Sequence, residues 1–390
     1  MTSQIAIFNP LGVAVASDTV TTHNRGGGTK TTNNAEKIWA LGGDHLVVVV
    51  SSGSVVTTGI HSRLLISEWT RTLKKPLPTL AQYVSNFTQW ITNEANMMPV
   101  DSEVQDINWC LNDHFLEIQR RVKIETSKLE SADDVAASLK THSEAGLHYL
   151  LGLPLFTDAS DELDAAILVE REIDIDKKID YFFKELPGLE EVREILRTSA
   201  PLALSRAQEM KGDTDLGFIG FGSDEYFATS QIAHCRGRYG NLARVVVEES
   251  FGQTADESSG SIKAFAQSDA IFGFIRGAQS AVKVAVYEYL WETLTDGKDE
   301  NEEKLKEVQT LIDGLRNHVD EYQTETFVNP MLDTIGSLSL RDVADLAVSL
   351  VGMQATRSAA SPTPASVGGF IESLVIDRND GVRWVNRLPR

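Results

Sequence analysis

Cysteine is almost absent from this chain of 390 residues, which contains only Cys110 and Cys235. Two cysteines cannot form the multi-bridge framework that stabilises small secreted domains, and they cannot supply a cysteine-based zinc site. The eight histidines are not arranged at metal-ligand spacings. The composition therefore excludes a disulfide scaffold and gives no indication of a metal site.

The chain also contains few basic residues relative to acidic ones. It has 36 Lys and Arg and 56 Asp and Glu, and its formal net charge is −20. General nucleic-acid binding needs a basic surface that neutralises phosphates, so nucleic acid is not expected as a partner. Long apolar runs are missing as well, and the sequence predicts neither a membrane span nor a signal peptide. We therefore expect a cytoplasmic protein that does not bind membranes.

The most informative residue that the sequence does contain is Thr2, which directly follows Met1. Initiator methionine is removed when the next residue is small, so the mature chain is expected to begin at Thr2. A hydroxyl is a weak nucleophile that needs a nearby proton acceptor, and a free α-amine with a pKa near ~8 is a suitable one. Thr2 would then carry both a nucleophile and its base.

Apolar residues alternate at period two close to this end of the chain. The pattern predicts strands around residues 5–7 and 13–15, joined by turn-forming residues 9–12, and the second strand ends at Asp18. The glycine-rich segment 26–31 lacks the ending of a phosphate-binding loop and predicts a flexible loop.

A third strand is predicted at residues 46–50, and it leads into residues 51–54. A helix is predicted next, from apolar residues spaced close to the helical period: Val56, Ile60, Leu64, Leu65, Trp69 and Leu73. The sequence therefore predicts a strand, a short connection at residues 51–54 and a helix, in that order.

These residues resemble the proteasome β-subunit superfamily of N-terminal-nucleophile hydrolases, which includes the simpler bacterial two-component peptidase. In that family an aspartate closes a Gly-Val-x-Val-Ala-x-Asp strand at a fixed distance from the N-terminal threonine, and residues 12–18 stand at the same distance from Thr2. The family's lysine lies in an Asn-x-x-Lys segment, which matches residues 34–38. Its oxyanion-hole glycine lies in a step that residues 52–54 match.

The resemblance implies catalytic roles for Thr2, Asp18, Lys37 and Gly53. An ammonium group at Lys37 would lower the pKa of the Thr2 hydroxyl, and Asp18 would hold the lysine charged and in place. The Gly53 backbone N–H would face the developing oxyanion. Removing one such donor typically costs ~10²-fold to ~10³-fold in rate.

A further part of the resemblance lies in the second half of the chain. Residues 262–268 lead into a helix and are similar to the family's Gly-Ser-Gly loop, which makes Ser268 the counterpart of its assisting serine. Gln267 and Asp269 stand where the family has glycines. The family also places an aspartate and a serine before its late Gly-Gly strand, whereas this chain has no aspartate there and offers only Ser366.

The C-terminal segment resembles the family's final helix, strand and hairpin. Ser339 begins a capping box in front of an apolar helical face, and Gly368 and Gly369 open a strand. Residues 379–381 have the Asn-Asp-Gly composition that favours a tight turn between two strands.

Two insertions account for the length of the chain, because the family core is much shorter. One spans about residues 100–214 and is predicted to be mainly helical, and the other spans about residues 296–330 and is predicted to be a charged helix. We therefore expect a single proteasome-like domain over residues 1–390, interrupted twice.

The resemblance implies a mixed α/β fold, namely a four-layer α/β/β/α sandwich with two mainly antiparallel sheets face to face and helices outside. It implies a self-compartmentalising threonine-type endopeptidase that acts on protein or peptide substrates without a metal or organic cofactor. It also implies a homo-oligomeric ring, with an ATP-dependent unfoldase as a candidate partner.

Two other functions stay open at this point. The first is an amidase of the same N-terminal-nucleophile class that acts on a small molecule, which predicts a closed pocket. The second is a catalytically silent scaffold built on the fold, which predicts that Met1 is retained or that Thr2 is blocked.

Overall fold

Antiparallel sheets and helices together form the described part of the chain, so the mixed α/β class predicted from the sequence is observed. The computed structural model describes residues 2–25, 28–93, 100–126, 131–156, 161–206, 213–239, 242–253, 258–295, 302–362 and 366–389. Within those ranges, every helix is too short or too polar to cross a membrane.

The strands of the described residues are β1 Ser3–Asn9, β2 Gly12–Asp18, β3 Thr21–Arg25, β4 Gly28–Thr32, β5 Ile38–Ala40, β6 Val47–Gly53, β7 Val56–Thr57, β8 Ile60–His61, β9 Thr214–Gly220, β10 Thr229–Tyr239, β11 Leu242–Val247, β12 Phe251–Gly252, β13 Ser261–Ala266, β14 Ile371–Asp377 and β15 Gly381–Asn386. The helices are α1 Ser62–Thr72, α2 Leu80–Asn93, α3 Val100–Thr126, α4 Ala132–Gly152, α5 Asp161–Glu170, α6 Ile175–Phe183, α7 Leu189–Ser205, α8 Asp269–Ile275, α9 Ser280–Thr295, α10 Glu302–Gln323, α11 Asn329–Ser337 and α12 Leu340–Ala359. A π-helical turn, Thr324–Val328, joins α10 to α11.

The strands build two large antiparallel sheets. The order is β13-β1-β2-β14-β15 in the first sheet and β11-β10-β9-β6-β5 in the second, with β12 also paired to β10. The hairpin predicted at the start of the chain is confirmed, since β1 pairs with β2 from Gln4 opposite Ser17 to Asn9 opposite Gly12. The pairs β3–β4 and β7–β8 form two separate short ribbons.

Alternation along the central strands sorts their side chains onto the two faces of each sheet. Ala6 and Phe8 of β1 belong to a hydrophobic cluster that also contains Val48 and Val50 of β6, so the two sheets share this cluster. The alternate residues of β1 and β2 pack with α8, α11 and α12. Those of β6 and β9 pack with α1 and α2.

Helices α3 to α7, called the helical lobe below, share a hydrophobic cluster of their own. Phe115 of α3, Leu139 of α4 and Phe183 of α6 are fully buried in it. The lobe occupies the described residues of the predicted insertion at 100–214. The described residues of the second predicted insertion, at 296–330, form α10, the π-helical turn and the start of α11. The remaining residues of both insertions lie outside the described ranges.

Two local predictions were wrong. The helix predicted over residues 56–73 begins only at Ser62, and the β7–β8 ribbon precedes it. Residues 55–57 are all β-branched, which favours extended backbone, and the turn that follows has positive φ angles at Thr58 (53°) and Gly59 (81°). The loop predicted at residues 26–31 is part of a ribbon from Gly28 onward, and residues 26 and 27 lie outside the described ranges.

Two local predictions near the C-terminus are confirmed. The Ser339 hydroxyl accepts a hydrogen bond from the Asp342 N–H at 3.2 Å and caps α12. In the turn between β14 and β15, Asp377 accepts hydrogen bonds from the N–H groups of Asn379 and Asp380, both at 2.8 Å. Short-range turn and cap chemistry therefore fixes the boundaries of these elements.

A row of polar side chains crosses one end of the second sheet. His234 of β10 lies opposite Asp215 of β9, with Nδ1 2.7 Å from the Asp215 carboxylate and Nε2 3.1 Å from Glu248. Glu248 also accepts a hydrogen bond from Nζ of Lys263 in β13 at 2.8 Å, so the row links the two sheets. The hydrogen bond to Asp215, supported by both carboxylate charges, raises the pKa of His234 above its usual 6.5.

We expect His234→Gln to destabilise the protein by about 1 kcal/mol at acidic pH, because it removes charge-assisted hydrogen bonds at a partly exposed site. A raised pKa means that the charged imidazole stabilises the fold fully below pH 6.5 and loses this effect as pH rises through the folded-state pKa. The difference between wild type and variant should therefore shrink above pH 6.5, as measured by urea unfolding across pH. His148→Gln, at an exposed position of α4, controls for the loss of a histidine. A difference that grows with pH would contradict the assignment.

Candidate active site

Three of the predicted site residues, Thr2, Lys37 and Gly53, line one cleft of about 910 Å³. Thr2 has only 8% of its surface exposed, and Met1 lies outside the described residues. The remaining walls come from β3, β4, the β7–β8 ribbon, α3 and the C-terminal residues that follow β15. The cleft therefore gathers residues from distant parts of the sequence around Thr2.

The peptide group between Thr2 and Ser3 is held on both sides. Its carbonyl oxygen accepts a hydrogen bond from the backbone N–H of Gln267 at 2.9 Å. Its N–H, on Ser3, donates to Oδ1 of Asp18 at 3.0 Å. These two contacts fix the start of β1, and with it the backbone that carries the Thr2 side chain.

Asp18 is a fully buried carboxylate that joins several segments of the chain. Oδ1 binds the Ser3 N–H and also Nζ of Lys37, at 2.7 Å. Oδ2 accepts hydrogen bonds from the backbone N–H groups of Val20 at 3.2 Å and Gly368 at 3.1 Å. A carboxylate with three backbone donors and a cation is well compensated for the loss of water.

Lys37 reaches Asp18 from the segment before β5, and its side chain is only 7% exposed. Its backbone carbonyl accepts a hydrogen bond from the Ser51 N–H at 3.1 Å, which ties it to β6. Burial lowers the pKa of Lys37 below its ordinary value of 10.5, and the Asp18 charge offsets this only in part. The 2.7 Å contact with Asp18 provides the buried ammonium form of Lys37 with an opposite charge.

Gln4 is a site residue that the sequence analysis missed. It is fully buried, and its amide group donates to the carbonyls of Ser51 at 3.0 Å and Lys37 at 3.4 Å, and to Oγ of Ser17 at 3.2 Å. Gln4 thus connects β1 of the first sheet to the Lys37 segment and to β6 of the second sheet. The sequence did contain a signal for Gln4. It is a polar residue on the same face of β1 as the apolar residues Ala6 and Phe8.

Gly53 ends β6 in a conformation that requires glycine. Its φ is 77°, and a Cβ atom there would lie 2.0 Å from the carbonyl oxygen of Asp213. The Ser54 N–H donates to that same oxygen at 3.0 Å. Because the β7–β8 ribbon separates Gly53 from α1, a helix N-terminus does not directly follow this glycine, contrary to the sequence expectation.

Ser268 lies next to the site but does not occur among the described residues that line the cleft. It is the N-cap residue of α8, and its hydroxyl donates to the Ala266 carbonyl at 3.4 Å. Its neighbour Gln267 makes the contact with Thr2 and also accepts a hydrogen bond from Oγ of Ser366 at 3.4 Å. The two predicted serines are thus connected to Thr2 through Gln267.

The cleft also contains residues that no sequence motif indicated. Trp109 of α3 lines it with 60% of its surface exposed, so the helical lobe contributes to the site. Arg63 of α1 forms an ion pair with Glu36, the residue before Lys37. Neither contact is visible in the sequence, because each joins residues that are distant in the chain.

The arrangement is suited to nucleophilic acyl transfer. It combines a threonine hydroxyl, a buried lysine with a carboxylate partner and a glycine at a strand end, all within one cleft. No cluster of three or more His, Cys, Asp or Glu side chains suited to a metal ion is present in the described ranges.

No protein-family model matches the chain, and no curated protein matches it. Membership of the proteasome β-subunit superfamily therefore stays a prediction that rests on the residues quoted above.

We expect Asp18→Asn to lower the free energy of unfolding by about 3–5 kcal/mol, because it leaves the Lys37 ammonium buried without its counter-charge. Lys37→Met should cost less, since the three backbone N–H groups still compensate Asp18. Urea denaturation followed by tryptophan fluorescence gives both values.

The matched control is Asp345→Asn, which breaks an exposed ion pair with Arg341 on α12. Its cost should stay below about 1 kcal/mol. If the Asp18 and Asp345 variants lost the same free energy of unfolding, the buried Asp18–Lys37 pair would contribute no more to stability than an exposed pair, contrary to the prediction.

Proposed function

We propose that this chain is a threonine-type endopeptidase of the N-terminal-nucleophile class, in which Thr2 becomes the nucleophile once Met1 is removed. The observation that carries the proposal is the Asp18 carboxylate, which binds both the Ser3 N–H next to Thr2 and the Lys37 ammonium. Gly53 lines the same cleft. These residues match the family pattern in type and order, and Asp18 also in its distance from Thr2, although the loop before Lys37 is a few residues longer than in the family.

The proposal includes the four-layer α/β/β/α sandwich of that class. It is supported by the hydrophobic cluster that the two sheets share and by the helices that pack on their other faces. In this arrangement Thr2 directly precedes β1, a strand inside the first sheet. A nucleophile that is attached to a sheet is held more rigidly than one in a loop.

In the proposed reaction, Oγ of Thr2 attacks the carbonyl carbon of a peptide bond while its proton passes to the α-amine of the same residue. The Gly53 N–H binds the oxyanion of the tetrahedral intermediate. The C–N bond then breaks, the proton passes to the leaving amine, and the acyl group remains as an ester on Thr2. Water attacks this ester with the same amine as base, which releases a carboxylic acid and restores Thr2.

Lys37 has an electrostatic role in this scheme. Its ammonium group lowers the pKa of the Thr2 hydroxyl and disfavours a second positive charge on the α-amine. Asp18 orients the lysine, and Gln4 fixes the backbone of the Lys37 segment relative to β1. The proposal assigns no step to Ser268, whose predicted assisting role would act through the neighbouring Gln267.

Reaction with a peptide epoxyketone tests the proposal, because this reagent needs both the hydroxyl and the free amine of an N-terminal threonine. We expect intact mass and N-terminal sequencing to give one adduct per chain on Thr2, with Met1 absent. Thr2→Ser should retain the adduct because it keeps both groups, and Thr2→Ala should lose it.

The other outcomes separate the remaining functions. Retained Met1 without an adduct would exclude the peptidase mechanism and favour a catalytically silent scaffold. A free but unlabelled Thr2 would favour an amidase with a narrow pocket over an endopeptidase.

We further propose that the chain assembles into a ring in the cytoplasm and receives substrates from an ATP-dependent unfoldase. Self-association is supported by α9, in which only Tyr287 is buried while Val282, Val286 and Tyr289 are largely exposed. Several large exposed apolar side chains on one helix are typical of a protein–protein contact surface. In a ring, a second copy of the chain would cover this surface of α9.

Light scattering coupled to size exclusion is expected to give a mass that is a multiple of the single chain. Val286→Glu should shift the mass towards one chain, because it places a charge in the α9 surface. Val169→Glu, at an exposed valine of the helical lobe, should leave the mass unchanged. A single-chain mass for the wild type would contradict the ring.

A further inference from the structure

Trp109 exposes its side chain inside the cleft that contains Thr2. Its indole retains 60% of its accessible surface and lines the same cleft as Thr2, Lys37 and Gly53. Trp69, in comparison, is fully buried in the core. Large exposed aromatic side chains inside a cleft are typical contact groups for apolar parts of a ligand.

The helix that carries Trp109 is firmly held at its N-terminal end. Ser102 donates a hydrogen bond to the Thr58 carbonyl at 3.0 Å, and Gly59 leaves room for it, since a Cβ there would lie 2.4 Å from the Ser102 Cβ. Trp109 follows Ser102 by seven residues, which is about two helical turns. Its place at the cleft is therefore fixed through α3.

Charged side chains reinforce this attachment. Asp106 accepts a hydrogen bond from the Arg238 N–H at 3.0 Å. The Glu103 carboxylate is fully buried and pairs with Arg238 at 3.4 Å and Arg171 at 3.3 Å. The contacts of Arg238 with Asp106 and Glu103 join α3 of the helical lobe to β10 of the second sheet.

The lining of the cleft is mixed, with hydroxyl and charged side chains around Thr2 and several apolar residues besides Trp109. Val55, which precedes the β7–β8 ribbon, and Leu388 and Pro389, which follow β15, are further lining residues. Two of the cations of the cleft already have partners, since Lys37 pairs with Asp18 and Arg63 pairs with Glu36. The exposed indole of Trp109 therefore offers a contact surface for an apolar side chain within a cleft of otherwise mixed character.

We propose that Trp109 makes the helical lobe a specificity element that selects peptides with a large apolar side chain, such as Phe or Leu, next to the scissile bond. The inference rests on the proposed function, because it assigns a substrate class to the same cleft. Trp109 contacts substrate in this proposal but takes no part in bond cleavage.

Peptide binding to the full-length Thr2→Ala protein tests the inference without turnover. Fluorescence polarisation would compare labelled seven-residue peptides with Phe or Leu at the central position against matched peptides with Ala or Asp. In this background Trp109→Ala should weaken binding of the Phe and Leu peptides about tenfold and of the Ala and Asp peptides less than about twofold. Trp109→Phe should largely restore the preference.

The matched control is Leu116→Ala, on the same helix and exposed by 48%, which does not occur among the described residues lining the cleft. It should leave all four affinities unchanged. In the enzyme with Thr2 intact, Trp109→Ala should raise KM for Phe and Leu peptides and leave kcat unchanged, because the contact is present in the ground state as well as the transition state.

Equal weakening of all four peptides by Trp109→Ala, or no weakening, would overturn the inference. Such a result together with a stoichiometric epoxyketone adduct on Thr2 would leave the proposed peptidase intact. Selective binding without an adduct would support the recognition role of Trp109 and contradict the peptidase mechanism instead.

Discussion

The buried carboxylate of Asp18 is the interaction on which the rest of the site depends. Its two oxygens bind β1 at Ser3, the chain just after β2 at Val20, the chain just before β14 at Gly368, and the ammonium of Lys37. Two opposite charges removed from water have a large desolvation cost, and here hydrogen bonds to the remaining lone pairs offset part of it. An ion pair of this kind contributes geometric specificity more than stability. Four segments from both ends of the chain must be correctly folded before the carboxylate is satisfied.

Local chemistry made much of the fold predictable. The β1–β2 hairpin follows from alternation and turn residues, and the start of α12 follows from the Ser339 cap. The helix predicted from residue 56 was wrong, because three β-branched residues and the positive φ angles of Thr58 and Gly59 outweighed an apolar spacing close to the helical period. Pattern alone does not distinguish such a ribbon from a first helical turn.

The candidate site also contains both residues that the sequence predicted and residues that it did not. Thr2, Asp18, Lys37 and Gly53 were found because a family pattern preserves their types and their order, and the structure brings three of them to one cleft with Asp18 behind Lys37. Gln4 and Trp109 were not predicted, because their roles arise from contacts between segments that are far apart in the chain. The wall formed by α3 depends on the buried Glu103 and the half-buried Asp106, which contact β10, and no local sequence pattern encodes that contact.

Both ends of the described chain border the cleft, since Thr2 lines it together with Leu388 and Pro389. A fusion in front of Thr2 would occupy the α-amine that the proposed reaction uses as its base, whereas residues attached after Pro389 would start beside the same opening and leave that amine free. The residues that follow β15 are therefore a position from which a reporter group could sense filling of the cleft without modifying Thr2.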